Sequence, residues 1–233
     1  MPQLLLIKDL RFSWAASRPL LDIEHLSLNA GERLFLRGPS GSGKSTLLGL
    51  IGGVLRPQHG SIKILSSPLE ALSGAARDRF RADHIGFIFQ QFNLLPYLDA
   101  LDNVLLPLRF SARRRSRVKA QGAQRHACGL LSRLELDPAA LRGRPAAELS
   151  VGQQQRVAAA RALIGGPELI VADEPTSALD SDTRASFLAL LFEECQRAGS
   201  SLLFVSHDRS LEARFDRAID LSTFNRAVSA PTC

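Results

Sequence analysis

The stretch that most constrains this chain runs from Gly38 to Thr46 and reads GPSGSGKST. It matches the pattern G-x-x-x-x-G-K-[ST], in which successive backbone N–H groups surround phosphate groups at a helix N-terminus. The lysine of such a loop reaches the terminal phosphates, and the last hydroxyl binds Mg²⁺. We therefore predict a nucleotide site formed by Gly38, Pro39, Ser40, Gly41, Ser42, Gly43, Lys44, Ser45 and Thr46.

The patterns around this loop predict an α/β fold. Residues 33–37 read as a strand and residues 45–51 as a helix, which is the context such a loop requires. Runs at 4–9 and 20–28 read as further strands, and 169–172 is apolar on both faces, as in a central parallel strand. Residues 201–205 and a last strand or hairpin from Arg217, fraying by Pro231, complete this set.

Residues from about 100 to 165 are rich in Ala, Arg and Leu at helical spacing and show no strand signal. We expect a helical subdomain inserted into an α/β core. The predicted organisation is one domain over residues 1–233, with an ATP-binding core at 1–89 and 166–233 and a linker and helical subdomain at 90–165.

The charge pattern gives little support to a nucleic-acid partner. The formal net charge is +6, but the basic residues are 25 Arg and 4 Lys spread along the chain. The one dense run is 113–117, which we interpret as a solvated loop, with contact with lipid headgroups as the alternative. No apolar run reaches the length of a membrane span, so a cytosolic chain is expected unless a partner holds it at a membrane. Cys128, Cys195 and Cys233 lie far apart and read as reduced thiols.

Polar residues follow three buried-type strands, where functional groups of parallel sheets gather. Asp173 and Glu174 follow the strand at 169–172, and such a pair can bind the Mg²⁺ shell and take a proton from water. Gln90 ends the strand at 85–89, and His207 follows the strand at 201–205. Solvated turn acids and a structural histidine are the alternatives.

Three further features permit two interpretations each. Ser150, in LSVGQQQR, is either a helix N-cap or part of an anion site at a helix N-terminus. Trp14 is either a core residue or a platform for an adenine ring. The apolar segment from Phe92 to Leu98 is either a packed linker or an exposed patch that needs a partner.

The order and spacing of these motifs resemble the nucleotide-binding subunits of ABC transporters, over nearly the whole chain. The resemblance implies an α/β P-loop NTPase core, with a mixed sheet and an antiparallel β subdomain, plus an inserted helical subdomain. It implies an ATPase that uses ATP and Mg²⁺, works as a homodimer, and lies on the cytoplasmic face of the inner membrane beside a permease.

The resemblance also assigns roles to residues. Trp14 matches the position that stacks on adenine, Lys44 the group on the β- and γ-phosphates, and Ser45, Gln90 and Asp173 the Mg²⁺ site. The remaining matches are Glu174 as general base, His207 as the switch histidine on the γ-phosphate, Ser150, Gly152 and Gln153 as the signature motif, and Asp180 in the loop that crosses to the other subunit.

Two residues depart from the family pattern. Val151 stands where the signature motif usually has its first glycine, although Gly152 is kept. Asn225 stands where a terminal hairpin usually has glycine, and Asn tolerates positive φ.

The segment from Phe89 to Leu108 resembles the branch of lipoprotein-releasing and macrolide-export cassettes. This implies export or extraction of a substrate, with the permease docking near the segment from Phe92 to Leu98. An ATP-driven regulatory switch in an envelope or cell-division complex is the alternative. A DNA-repair or translation ATPase is disfavoured because those chains carry coiled-coil insertions, zinc sites or a second cassette.

Overall fold

The computed structural model describes residues 2–15 and 19–227. In chain order its helices and strands are β1 (Gln3–Phe12), β2 (Leu21–Asn29), β3 (Arg33–Arg37), α1 (Lys44–Ile51), β4 (His59–Ile64), β5 (Ser67–Pro68), α2 (Gly74–His84), β6 (Ile85–Ile88), α3 (Ala100–Phe110), α4 (Ala112–Val118), α5 (Ala123–Arg133), α6 (Val151–Leu163), β7 (Leu169–Asp173), α7 (Ser181–Ala198), β8 (Ser201–Val205), β9 (Arg217–Asp220) and α8 (Leu221–Phe224).

The chain divides into two compact units, one built from residues up to 81 and from 201 onward, the other from residues 82–200. The predicted α/β class, with an antiparallel and a parallel sheet, is confirmed. The subdomain boundaries expected at 90 and 165 stay a prediction.

The antiparallel sheet lies in the first unit, with strand order β2-β1-β4-β5. Ile7 lies at its centre, opposite Leu26 on β2 and Ile62 on β4, and all three side chains are buried. The pairing of β1 with β4 shifts between Lys8 and Arg11. Gly60 fits there because a Cβ atom at that position would lie 2.3 Å from the carbonyl oxygen of Asp9.

Strand β3 of the first unit pairs in parallel with β8 on one side and β9 on the other. Its three central residues, Leu34, Phe35 and Leu36, are fully buried, as expected of a strand covered on both faces. The ring of Phe35 lies 6.1 Å from that of Phe204 and 5.1 Å from that of Phe215. Burial of each such ring contributes on the order of 1.5–3 kcal/mol, so this cluster fixes the strand that leads into the phosphate loop.

The second unit contains the parallel pair β6 and β7, with Ile88 opposite Ala172. Helix α6 packs closely on β6, because a Cβ atom at Gly86 would lie 2.2 Å from the carbonyl oxygen of Ala162. Several buried residues of α6 are small, including Ala158, Ala159 and Ala160. Their size permits the close approach of helix and strand.

The interpretation of residues 113–117 as a solvated loop was wrong, because these residues lie in helix α4. Ser111 caps the helix by accepting a hydrogen bond from the backbone N–H of Arg114. Each of four guanidinium groups has a fixed partner within the second unit. Arg113 and Arg117 pair with Glu168, Arg115 donates to the carbonyl of Leu108, and Arg114 donates to that of Ile85. Arginine is a good helix former, and its planar fork suits these carbonyl and carboxylate partners. Groups so engaged give little support to the lipid alternative.

At the end of the described chain, the structure has the predicted last strand, β9, which begins at Arg217, and not the hairpin alternative. Strand β9 is followed by the short helix α8 and by a single bridge between Asn225 and Ile23, so no hairpin forms in the residues described. Asn225 has φ −85°, an extended value, and its buried side chain accepts from the N–H of Asp22 and donates to the carbonyl of Leu20. Its role is to hold the first residues of β2. The fraying expected near Pro231 lies outside the described residues.

Cys128 and Cys195 are reduced thiols, as predicted, and Cys233 lies outside the described residues. Within residues 2–15 and 19–227, no helix is long and apolar enough to cross a membrane.

Candidate functional site: a phosphate loop and three strand ends

The phosphate loop connects β3 to α1, as the sequence predicts. Gly41 and Gly43 have φ of 77° and 97°, values that favour glycine. A Cβ atom at Gly43 would lie 2.7 Å from Cδ2 of Leu21, and one at Gly38 would lie 2.7 Å from Oγ of Ser42. The loop therefore depends on glycine both for its backbone angles and for space.

Polar groups of this loop fit a phosphate ligand. The ammonium group of Lys44 donates to the carbonyl oxygens of Gly38 at 2.7 Å and of Pro39 at 3.0 Å. The hydroxyl oxygen of Ser42 is buried and has no hydrogen-bond partner among the described residues. Because buried polar atoms are nearly always paired, this hydroxyl points to a ligand, and phosphate oxygens would accept from it. Ser45 is exposed at the first turn of α1, where an oxygen ligand for Mg²⁺ would stand.

Trp14 is not a core residue, because 68% of its surface is exposed. Its ring stands edge-on to Phe12 at 5.2 Å, and its indole N–H donates to the Thr46 hydroxyl at 3.4 Å. A cavity of about 530 Å³ lies beside it. That cavity is lined by Trp14, Ala15, Pro19, Leu20, Pro39, Ser40, Gly41, Ser42 and Ala227. An exposed aromatic face next to a phosphate loop, above a cavity of ligand size, fits a nucleoside.

His207 lies on the same strand-end edge of the first unit as the phosphate loop. Leu36 of β3 pairs with Val205 of β8, and the N–H of Ser206 donates to the carbonyl of Leu36 at 3.2 Å. His207 is the next residue and is exposed. The parallel register therefore brings His207 and the end of β3, which leads into Gly38, to one edge of the sheet.

Gln90, Asp173 and Glu174 follow the paired strands β6 and β7 of the second unit. Because Ile88 pairs with Ala172, the chain leaves both strands at the same level. Gln90 is exposed, whereas Asp173 and Glu174 are half-buried. Glu174 has φ 47°, an uncommon value for a residue other than glycine, which often marks functional positions.

The N-cap interpretation of Ser150 is confirmed, and the anion-site interpretation stays a prediction. Its hydroxyl accepts from the N–H of Gln153 at 3.3 Å, and the Gln153 side chain accepts from the N–H of Ser150 at 3.0 Å. This reciprocal capping box starts α6. A Cβ atom at Gly152 would meet nothing within 4 Å, and Val151 is 47% exposed, so the helix start presents an open surface.

Asp180 caps α7. Its carboxylate accepts from the N–H groups of Asp182 and Thr183 and from the Thr183 hydroxyl. The pKa of Asp180 is lowered from its ordinary value chiefly by the hydrogen bonds from Thr183, so the cap is charged at neutral pH. A second-subunit role for this residue stays a prediction.

Sequence reasoning missed three polar residues of the second unit, of which Asn103 and Gln155 are buried and Arg161 is half-buried. Asn103 is fully buried and binds the backbone of Leu95, Leu98 and Asp99, which shapes the apolar segment after Gln90. Gln155 and Arg161 bind loop carbonyls from α6. The position of Asn103, a polar residue in a largely apolar stretch, could have indicated a structural role. The carbonyl partners of Gln155 and Arg161 leave no such pattern in the sequence.

The family model for ABC transporters matches residues 21–177. The chain belongs to the ABC transporter family. It is 42% identical over 200 residues to the lipoprotein-releasing system ATP-binding protein LolD of Syntrophotalea carbinolica, covering 84% of each chain. It is also 42% identical over 200 residues to the uncharacterized ABC transporter ATP-binding protein YbbA of Escherichia coli K12, covering 84% of this chain and 83% of the relative.

Solved structures show the same fold. A dimer of the ATP-binding cassette MJ0796, in a post-hydrolysis state with ADP and phosphate, is 36% identical with a TM-score of 0.77, covering 93% of each chain. The ABC cassette described here is thus an ATP-binding ATPase subunit that drives a membrane transport complex. The predicted family, fold and enzyme class are confirmed.

Proposed function

We propose that this ABC cassette powers export or extraction of a substrate at the bacterial inner membrane. Relatives that are named as ATP-binding proteins of a lipoprotein-releasing system support this proposal. The observation that carries the chemical part is the phosphate loop, in which Lys44 is held at the loop carbonyls and the Ser42 hydroxyl is buried with no hydrogen-bond partner in the described part of the chain. The direction of transport rests on the resemblance to relatives of that name.

Each strand-end residue has a chemical role in this proposal. Lys44 neutralises charge on the β- and γ-phosphates, and His207 donates to the γ-phosphate. Glu174 takes the proton of the attacking water, while Trp14 stacks on the adenine ring. Ser45, Asp173 and Gln90 would hold the shell of Mg²⁺, which when bound neutralises developing phosphate charge.

A homodimer completes the proposed mechanism. In it Ser150, Gly152 and Gln153 of one copy cover the ATP on the phosphate loop of the other, so two ATP molecules are enclosed with two-fold symmetry. Asp180 stands in the loop that crosses to the partner. The open surface around Gly152 at the start of α6 and the dimeric state of the MJ0796 cassette support this arrangement.

The permease would dock at the segment from Phe92 to Leu98. Tyr97 is 72% exposed there, and Asn103 holds the backbone on which the segment stands. An exposed aromatic group on a fixed backbone is typical of a partner site. The subunit would accordingly be cytoplasmic and peripheral on the inner membrane.

The test is Glu174→Gln. The amide cannot accept a proton from water, so we expect turnover to fall at least about a hundredfold and an ATP-bound dimer to accumulate. Gel filtration in the presence of ATP and Mg²⁺ would detect this dimer. Glu193→Gln, at a half-exposed position on α7, is the matched control. A Glu174→Gln variant that stays monomeric and hydrolyses ATP normally would overturn the general-base assignment.

A further inference from the structure

Helix α6 makes a buried contact with the turn that carries Glu174. The side-chain amide of Gln155, only 1% exposed, donates to the carbonyl oxygen of Pro175 at 2.7 Å. Pro175 directly follows Glu174, whose φ is 47°. A side chain of α6 thus fixes Pro175, the neighbour of Glu174. The positive φ of Glu174 is an energetically costly backbone conformation for a residue other than glycine.

The same helix holds the turn that follows Gln90. The guanidinium group of Arg161 donates to the carbonyl oxygens of Phe92 and Asn93, both at 2.5 Å. These two residues have φ of 59° and 49°. Positive φ is a genuine outlier for a bulky residue such as Phe92, so an outside partner is needed to keep this turn. Arg161 is that partner, and its planar guanidinium group can donate to two consecutive carbonyls.

The two contacts share a geometry. Each runs from a polar side chain of α6 to a carbonyl in or next to a left-handed turn. The turns follow β6 and β7, which pair in register with Ile88 opposite Ala172. One helix thereby holds the backbone beside Gln90 and beside Glu174.

We propose that Gln155 and Arg161 are positioning residues, and that α6 acts as a double latch that sets the placement of Gln90 and Glu174 for hydrolysis. The inference rests on the roles proposed above for those two residues. Because α6 begins at the Ser150 cap, a contact made there by a second copy is passed through a rigid helix to both turns. ATP hydrolysis would then depend on an engaged helix start.

Kinetics provides the first test. Arg161→Met and Gln155→Met remove the latch hydrogen bonds and leave an unbranched apolar side chain at each position. We expect kcat to fall about tenfold in each, with the KM for ATP changed less than about twofold, because binding at the phosphate loop is untouched. Arg161→Lys keeps the charge without the fork and should give an intermediate kcat.

Matched controls lie on the same helix. Gln154 donates to the carbonyl of Leu149 at 2.9 Å, and Arg156 pairs with the carboxylate of Glu135 at 3.0 Å, so neither bonds a carbonyl of the turns that follow β6 and β7. Gln154→Met and Arg156→Met should keep kcat within about twofold of wild type.

Amide hydrogen exchange separates positioning from general loosening. The N–H groups of Phe92 and Asn93 bond within their own turn, as do those of Ser177 and Leu179 in the turn after Glu174. Arg161→Met should speed exchange in the first turn alone, and Gln155→Met in the second alone. Asn93→Gly, combined with Arg161→Met, lowers the cost of positive φ at residue 93 and should recover part of kcat.

Two results would contradict the double latch: latch variants with the kcat of their controls, or exchange that rises equally throughout the unit. If either methionine variant fails to fold, Arg161→Lys and the exchange measurements still decide. Absence of turnover in the wild type would count against the proposed function instead, and the exchange pattern, which needs no ATP, would still report on the latch.

Discussion

The ammonium nitrogen of Lys44 lies 2.7 Å from the carbonyl oxygen of Gly38, the first residue of its own loop. Lys44 begins α1, so this contact folds the loop back over the helix N-terminus. The two ends of the loop thereby fix the position of the charge before any phosphate arrives, and binding requires little rearrangement.

Lys44→Ala should weaken ATP binding about a hundredfold, because it removes charge-assisted hydrogen bonds to phosphate. Titration with a fluorescent ATP analogue measures this loss. Lys63→Ala, at an exposed position on β4, serves as the control and should bind normally. Retained affinity in Lys44→Ala would remove the phosphate loop from the proposed mechanism.

Trp14→Ala should raise the KM for ATP about tenfold, since stacking of a base on an aromatic ring contributes roughly 1–3 kcal/mol. Trp14→Tyr retains a stacking face and should lose much less. Phe110 is comparably exposed, at 73%, but belongs to α3, so Phe110→Ala controls for loss of an exposed ring. Steady-state kinetics across ATP concentrations provides the comparison. An unchanged KM in Trp14→Ala would return this residue to a packing role.

Tyr97→Asp should reduce recovery of the cassette with its permease and leave intrinsic ATPase activity unchanged, because a charge enters an apolar contact without a partner. Co-purification from membranes of cells producing both proteins measures it. Phe110→Asp places the same charge at a similarly exposed aromatic position outside the segment. Equal recovery of the two variants would place the docking surface elsewhere.

Glu168 provides a prediction on stability and pH. Burial raises the pKa of this carboxyl, but hydrogen bonds from His84, Arg113 and Arg117 outweigh it and hold the pKa below its ordinary value. A lowered pKa in the folded state stabilises the protein above the unfolded value of about 4.3. That stabilisation disappears as the pH falls toward the folded pKa.

Glu168→Gln should therefore lower the free energy of unfolding by about 2 kcal/mol at pH 7. The difference from wild type should shrink below about pH 4. Urea unfolding at a series of pH values measures both. Glu193→Gln breaks a half-exposed i,i+4 pair with Arg197 and should cost under about 0.5 kcal/mol. A pH-independent difference would show that the charge of Glu168 is not what stabilises the fold.

The features that could be predicted from the sequence are those determined by residues only a few positions apart. The loop pattern fixes Gly38 and Lys44, apolar runs locate β3, β7 and β8, and Ser150 begins α6 as a cap. Local spacing, capping and strand length decide these features, so a single sequence carries them.

Other features depend on distant partners. Residues 113–117 looked like a solvated loop because nothing near them shows that Arg114 reaches the carbonyl of Ile85 in the buried interior. The carbonyl partners of Gln155 and Arg161 likewise have no side-chain signature. Asn225 was expected to tolerate a left-handed turn, but it is extended because its amide binds Leu20 and Asp22.

The close packing of Gly86 against Ala162 holds the C-terminal end of α6 in place, so a tilt of the helix would pivot about this end. With a rise of about 1.5 Å per residue, Gln155 lies about seven times farther along the helix from Ala162 than Arg161 does. A small tilt of α6 about Ala162 would therefore displace the helix at Gln155 about seven times as much as at Arg161. A tilt of α6 would therefore move the turn at Glu174 through a larger distance than the turn after Gln90.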